Sequence, residues 1–311
     1  MTTVIDRQPA PPINPSYKPD VEITKLPADT PYGKVLEVLE RDGGVIIENF
    51  ATAEDLEAIE REIKESKKPE DDQPHTGFPI IPSETRVISG LVGRSKTVAD
   101  ICERPLLTKL REEILTEHFS ITRERYTDHY RIDPLLSVSL SFQIGPGAPR
   151  QYLHRDDATH GIDHSAPFNL KKASQFGCLI SGCRTTRENG ATMFVPGSHR
   201  WDNNRQPRTD ELCFAEMEPG SALIFMGSAF HGGGHNSVPD MVRIVHGLFF
   251  VRGTMRQEEN QFLTIPHSKI LQMTPTMQNL LGYKKPQSAL GLVDNRDPTA
   301  DLAGVLQRVK A

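Results

Sequence analysis

A mainly β domain of the sandwich or barrel kind, with α-helices at its flanks, is the fold class the sequence predicts. The run VSLSFQI (138–144) alternates strictly, placing Val138, Leu140, Phe142 and Ile144 on one face and Ser139, Ser141 and Gln143 on the other, the pattern of a half-buried strand. Further short apolar runs follow (FGCLI, ATMFV, SALIFM, RIVHGLFFV), separated by the turn signals Asn189-Gly190, Pro196-Gly197, Pro219-Gly220 and Gly232-Gly233-Gly234. Helical spacing, by contrast, is confined to the stretches before about 120 and after 252.

The elements justify themselves in order. Prolines at 9, 11, 12, 15, 19, 27 and 31 fix φ and remove N–H donors, so residues 1–31 read as an extended arm. Val35, Leu36 and Leu39 suggest a short helix that Gly43 and Gly44 break before a strand at 45–50. Thr52 with Asp55 three residues on resembles a capping box, and Leu56, Ile59 and Ile63 repeat at helical spacing, which predicts a helix over about 53–65. Leu106, Leu107, Leu110, Ile114 and Leu115 mark a second amphipathic helix after Pro105. The first 120 residues are therefore expected to be mostly helical. The β core spans about 135–252, and Met277, Leu280 and Leu281 imply a short amphipathic turn in an extension over 253–311. The expected organisation is the arm followed by a single domain, 32–311.

Composition narrows the function. With 37% hydrophobic and 25% charged residues, the 311-residue chain can bury a sizeable core and is too apolar for disorder. A net charge of −5 leaves no electrostatic footprint for nucleic acid or anionic lipid. Cys102, Cys178, Cys183 and Cys213 form no CxxC pair, so neither a zinc ribbon nor a disulfide framework is suggested, and reduced thiols in the cytoplasm fit best. No export signal or membrane span is visible.

Chemistry concentrates in QYLHRDDATH, where His154 and Asp156 stand two positions apart and would share one face of a strand. His231 follows 75 residues after Asp156, before three glycines that would let the backbone turn away. Two histidines and one carboxylate on one face of an octahedral metal leave three adjacent positions open, the arrangement of non-haem Fe(II) oxygenases. Arg243, 12 positions after His231, could pair bidentately with a carboxylate inside the barrel. His160, His164, His199, His235 and His246 read as loop or core histidines, with His199 tying down a turn, and Asp157 as a hydrogen-bonding partner within its loop. Trp201 reads as core, while Tyr152 and Phe230 flank the candidate ligands and are candidate lining for a substrate pocket.

QYLHRDDATH, ENGATMFVPGSHRW (188–201), MEPGSALIF, HGGGHN and Arg243, together with TRVISG and LLGYKKP, resemble the phytanoyl-CoA dioxygenase family of Fe(II)/2-oxoglutarate enzymes, in its fungal natural-product branch. The likeness runs from about residue 33 to the end. It implies a double-stranded β-helix (jelly roll, cupin-like) with flanking α-helices, Fe(II) on His154, Asp156 and His231, and the far carboxylate of 2-oxoglutarate on Arg243. By the same resemblance, Gln151, Thr192 and, more weakly, Arg86 contact the cosubstrate, although strand parity would turn Gln151 away from His154 unless the chain bends near Pro149. The implied reaction consumes O₂, decarboxylates 2-oxoglutarate to succinate and oxidises a substrate by hydroxylation, desaturation, rearrangement or endoperoxidation. The expected substrate is a small, apolar, polycyclic secondary metabolite and not a coenzyme A thioester, because basic residues are paired with acids along the chain. Loops 66–85 and 157–173 are expected to cover the site, with Phe78, Ile80, Ile81 and Phe168 toward it. A homodimer is the expected assembly. The competing readings are a silent or non-oxidative cupin-like metal-binding protein and an acyl-CoA hydroxylase.

Overall fold

A computed structural model describes residues 9–72, 80–165 and 167–299. Its elements are β1 (Lys25–Pro27), α1 (Tyr32–Asp42), β2 (Gly44–Glu48), α2 (Ala53–Glu65), β3 (Thr85–Ser89), α3 (Leu91–Arg94), α4 (Lys96–Cys102) and α5 (Pro105–Leu115). The strands β4 (Glu117–Arg123), β5 (Tyr126–Ile132), β6 (Leu135–Ile144), β7 (Gln175–Ser181), β8 (Met193–Phe194), β9 (Cys213–Phe214), β10 (Ala222–Met226), β11 (His231–Gly232) and β12 (Arg243–Val251) follow. Three short helices, α6 (Gln261–Thr264), α7 (His267–Ile270) and α8 (Pro275–Leu280), complete the described chain.

Local chemistry sets the helix ends. At the start of α2 the Thr52 hydroxyl accepts from the Asp55 amide while the Asp55 carboxylate accepts from the Thr52 amide, so two otherwise orphaned donors are satisfied reciprocally. Gly43 ends α1 at φ 77°, where its amide reaches the Leu39 carbonyl, a left-handed conformation that costs a glycine little.

Seven strands form the large sheet in the order β1-β2-β10-β7-β12-β6-β3, antiparallel except for the β1–β2 pair. A smaller sheet, β11-β8-β9, faces it, with Phe194 and Cys213 of the small sheet packed on the side of Leu179, Leu223, Phe225 and Phe249. This is the jelly-roll arrangement. The other face of the large sheet, with Phe176, Cys178, Ile180, Ile224, Leu248 and Phe250, is covered by Val38 and Leu39 of α1, Ile59 and Ile63 of α2, and Leu107, Leu110 and Ile114 of α5. Burial on both faces explains why β7, β10 and β12 read as continuous apolar runs and not as alternating ones.

Three expectations need correction. Residues 25–27 of the extended arm are a strand, β1, paired with β2, and the arm is fastened where Arg187 donates to the carbonyls of Asn14 and Tyr17 and the Tyr17 hydroxyl donates to the Leu212 carbonyl at 2.6 Å. Before residue 135 the chain also holds β3 and the β4–β5 hairpin, whose strands are mostly polar and solvent-facing, with Phe119 and Ile121 on one exposed face. The serine face of β6 is buried, with Ser139 and Ser141 beneath neighbouring elements and the Ser139 hydroxyl accepting from the Val92 amide. Phe78 and the tail beyond residue 299 lie outside the described residues.

Because the Thr52 hydroxyl satisfies a first-turn amide, Thr52→Ala is expected to cost about 1 kcal/mol. A urea-unfolding midpoint that does not move would show the capping box to be dispensable.

Candidate metal and cosubstrate site

His154 and His231 are opposed across an isolated antiparallel bridge, each amide donating to the other's carbonyl at 2.9 and 3.0 Å. One residue past Arg155 the chain leaves the bridge and enters a 3₁₀ turn, Asp156–His160, pinned by the Asp156 amide on the Gly227 carbonyl. HRD is thus not a continuous strand, yet its two candidate ligands converge. His154 Nε2 lies 3.5 Å and His231 Nε2 3.3 Å from Asp156 Oδ1. Ligand atoms from all three residues lie within 4.8 Å of one another.

The protonation state of this cluster follows from its partners. His154 Nδ1 is 2.9 Å from the Tyr152 carbonyl and His231 Nδ1 is 3.0 Å from the Ala229 carbonyl. A carbonyl only accepts, so both Nδ1 atoms carry protons and both rings turn Nε2 toward a carboxylate oxygen. Two Nε2 atoms and a carboxylate oxygen converging on one space call for a cation, a proton or a metal ion, and Asp156 Oδ2 is buried with no hydrogen-bond partner. Burial opposes the Asp156 charge, but the imidazoles of His231 and His154 beside it hold the carboxyl well below the usual carboxylate range. For His231, burial pulls the pKa down while the Asp156 carboxylate pushes it up and prevails. The donor set fits a divalent metal with open positions, and iron among such metals once O₂ chemistry is required.

Above the cluster opens a cavity, continuous with solvent, into which β6 projects Val138, Leu140, Phe142 and Ile144. Leu179, Val245 and Phe249 from the neighbouring strands and Ile80, Ile81 and Pro82 from the 66–85 loop complete its apolar wall. Arg243 enters from the first position of β12, with 2% of its surface exposed. One terminal nitrogen donates to the Gly190 carbonyl at 2.6 Å and the other to Thr192 Oγ1 at 3.2 Å, while Nε has no partner. No carboxylate pairs with it among the described residues. Burial lowers its pKa to about 10, which leaves the guanidinium charged.

Gln151 also lines the cavity, its Oε1 accepting from the Gly233 amide at 2.5 Å and its Nε2 donating to the Ile80 carbonyl. Strand parity fails for it because residues 149–153 are not a strand. Gly234 matters for close approach: a Cβ there would stand 2.5 Å from the Ala191 carbonyl oxygen.

Four sequence candidates are not brought to the cavity. Arg86 points to the opposite face of the sheet, because β3 alternates and it is Thr85 that turns inward; its guanidinium instead meets Asp72 and the Asp71 carbonyl. Tyr152 is 51% exposed and sits beside Arg150. Phe230 packs against Trp201 under the Arg155 guanidinium, and Phe168 meets the edge of His199 on the helical side. The cavity includes five polar side chains that sequence reading did not single out: Thr85, Arg155, Thr159, Gln175 and Glu258. Only Thr85 had a usable signal, the two-residue period of TRVIS. Asp157 accepts from Ser174 and contacts His164 within its loop, and His199 donates to the Glu40 carbonyl, as their sequence contexts suggested.

In the metal-free protein, Asp156→Asn removes the charge that opposes burial at His231, so that imidazole is expected to titrate below the ordinary histidine value instead of above it. Imidazole NMR during a pH titration reads this directly, and an unmoved His231 would contradict the coupling. The same pair sets the pH limits of metal-free stability. The Asp156 contribution is present above the ordinary carboxylate pKa and lost as pH falls through its lowered value; the His231 contribution is full below the ordinary imidazole pKa and lost as pH rises through its raised value.

The chain is similar to curated fungal proteins over nearly its whole length. Dioxygenase swnH1 of Arthroderma benhamiae is 50% identical over 297 residues, covering 95% of this chain and 97% of that protein. Dioxygenase peniF of Penicillium patulum is 33% identical over 269 residues, covering 85% and 86% respectively. Among solved structures, HygX from Streptomyces hygroscopicus, with nickel, 2-oxoglutarate and hygromycin B bound, shares the fold at TM-score 0.52 and 14% identity, over 72% of this chain and 88% of that one. SnoK, a non-haem α-ketoglutarate-dependent carbocyclase from nogalamycin biosynthesis, does so at TM-score 0.51 and 14% identity, over 72% and 85%. The phytanoyl-CoA dioxygenase family model matches residues 39–244, within which both the HRD segment and His231 fall. The chain belongs to the phytanoyl-CoA dioxygenase family and is a non-haem iron, 2-oxoglutarate-dependent dioxygenase.

Proposed function

We propose that His154, Asp156 and His231 hold Fe(II), that Arg243 with Thr192 and Gln151 holds 2-oxoglutarate, and that the enzyme oxidises a small secondary metabolite with an apolar, polycyclic skeleton. The observation that carries this reading is the buried, unpaired guanidinium of Arg243 in the same cavity as three converging ligand atoms. A buried cation without a counter-ion is costly, and an incoming carboxylate removes that cost. Thr192 Oγ1 and the Gly190 carbonyl fix the guanidinium plane, so the fork is oriented before the carboxylate arrives. The Tyr152 and Ala229 carbonyls orient both imidazoles in advance. When bound, iron would activate O₂, the oxidant, with two electrons taken from 2-oxoglutarate as it is converted to succinate and CO₂ and two from the substrate; the protein contributes position and the exclusion of water.

The cavity wall favours a free small molecule over a coenzyme A thioester. Its cations among the described residues are Arg155 and Arg243, and one terminal nitrogen of Arg155 donates to the Ser198 and Trp201 carbonyls. Lys171, in the 157–173 loop, lies against Glu113 and is not part of the cavity lining. A cytoplasmic site and a homodimer belong to the same reading: the four cysteines are free thiols, and Phe119, Ile121 and Tyr126 on the β4–β5 hairpin offer exposed apolar surface to a second copy.

Arg243→Ala is expected to weaken 2-oxoglutarate binding by about 2 to 5 kcal/mol, the cost of truncating one partner of a buried charge pair, with little effect on metal affinity. Arg243→Lys should recover only part of it. Anaerobic titration of the Fe(II) protein with 2-oxoglutarate, followed by its visible charge-transfer band, measures both. Unchanged cosubstrate affinity in Arg243→Ala would move the carboxylate site elsewhere. Asp156→Ala is expected to abolish succinate formation on admitting O₂ while circular dichroism stays native, and normal succinate release by that variant would remove Asp156 from the ligand set.

A further inference from the structure

We infer that Glu258 and Gln175 form a recognition subsite in the cavity for a protonated amine of the substrate. The inference rests on the cavity being the substrate site, as proposed above.

Glu258 follows β12 and lines the cavity. Its amide donates to Ser137 Oγ, and that hydroxyl donates back to Glu258 Oε1, both at 3.1 Å, which locks the side chain in place. Gln175, at the first position of β7 and 1% exposed, lines the same cavity and donates its Nε2 to Glu258 Oε1 at 3.2 Å. The orientation of the amide is set by this contact, because turning it over would face two acceptors. Its Oε1 is therefore left buried with no partner. Among the described residues no hydrogen bond reaches Glu258 Oε2 and no cation pairs with the carboxylate. The result is an unpaired carboxylate oxygen in a mostly apolar cavity with a second unpartnered acceptor buried beside it, and no donor reaches either among the described residues.

The surrounding charges sharpen the choice of ligand. Burial raises the Glu258 pKa, the Asp156 charge raises it further, and His160 offsets this only in part while its Nε2 lies on the Arg256 carbonyl. Arg155, the other cation near this end of the cavity, is held by backbone carbonyls. A dication on the ligand cluster, the Asp156 charge, the Arg243 charge and a dianionic cosubstrate would cancel one another. Glu258 and Arg155 would then be the charges remaining among the described lining residues, and no ion pair joins Glu258 to a cation there. A substrate ammonium supplies both the charge and the donors that Glu258 and Gln175 lack, whereas a neutral hydrocarbon leaves both unsatisfied.

The test uses the full chain loaded anaerobically with Zn(II) and 2-oxoglutarate, and a matched pair of rings, cyclohexylmethylammonium and cyclohexylmethanol, followed by ligand-observed NMR. Wild type is expected to bind the ammonium about tenfold more tightly than the alcohol, and Glu258→Gln to lose that preference, as for a desolvated charge pair. Gln175→Leu, which leaves the carboxylate in place, should reduce the preference without erasing it. Equal binding of the two rings by wild type, or a preference that survives in Glu258→Gln, overturns the subsite. The Glu258→Gln outcome also separates an ionised acceptor from a neutral carboxylic acid donor, since only the latter tolerates an amide. Cosubstrate affinity is read in the same samples: its absence in wild type would sink the cofactor assignment, whereas its presence alongside ring equality sinks the subsite alone.

Discussion

Two backbone hydrogen bonds between His154 and His231 hold this site together. They join a segment with no regular structure to the end of the small sheet, and so bring a side chain from either end of a 77-residue excursion to one point. The ring orientations depend on them as well, because each Nδ1 binds a carbonyl two residues before its own position, Tyr152 for one and Ala229 for the other. Given that bridge, the 3₁₀ turn needs to carry Asp156 only a short way to complete the three converging ligand atoms. The side chain of Arg155 helps to fix the turn, reaching past the Phe230 ring to two carbonyls on the far side.

The jelly roll and the converging residues were legible because their signals are chemical or periodic. Alternation in β6 places four apolar side chains toward the cavity, and the combination of HxD, a distant His and a following Arg has few other uses. Adjacency to a ligand, by contrast, says nothing about direction where the chain is irregular. Tyr152 beside His154 and Phe230 beside His231 point away from the cavity for that reason. Arg86 shows the opposite lesson, since β3 is regular and its period alone assigns Thr85 to the cavity and Arg86 to the outer face. Glu258 and Gln175 were invisible because their meeting depends on how the chain after β12 folds back against the start of β7, a long-range contact with no local signature.

Electrostatics divides the cavity into two regions. On one side Arg243 is a fixed positive charge with its own hydrogen bonds partly satisfied; on the other, Asp156 and Glu258 gather negative charge that only cations relieve. The apolar wall between them keeps these charges in a low-dielectric setting, where each counts for more than it would in water. The same wall lets a substrate be held by shape along most of its length and by charge at few points.

The pairing of β2 with β10 has a consequence for how the chain reaches its native state. Residues 44–48 find their antiparallel neighbour at 222–225, and the segment around Asn14 and Tyr17 is fastened by Arg187 and Leu212. During synthesis, the early strand therefore emerges long before the strand that shields it. Until β10 arrives, β2 presents an apolar run and open amides on that side, a state of high contact order that exposes a sticky edge. The topology thus leaves the amino-terminal strand unshielded until most of the chain has been made.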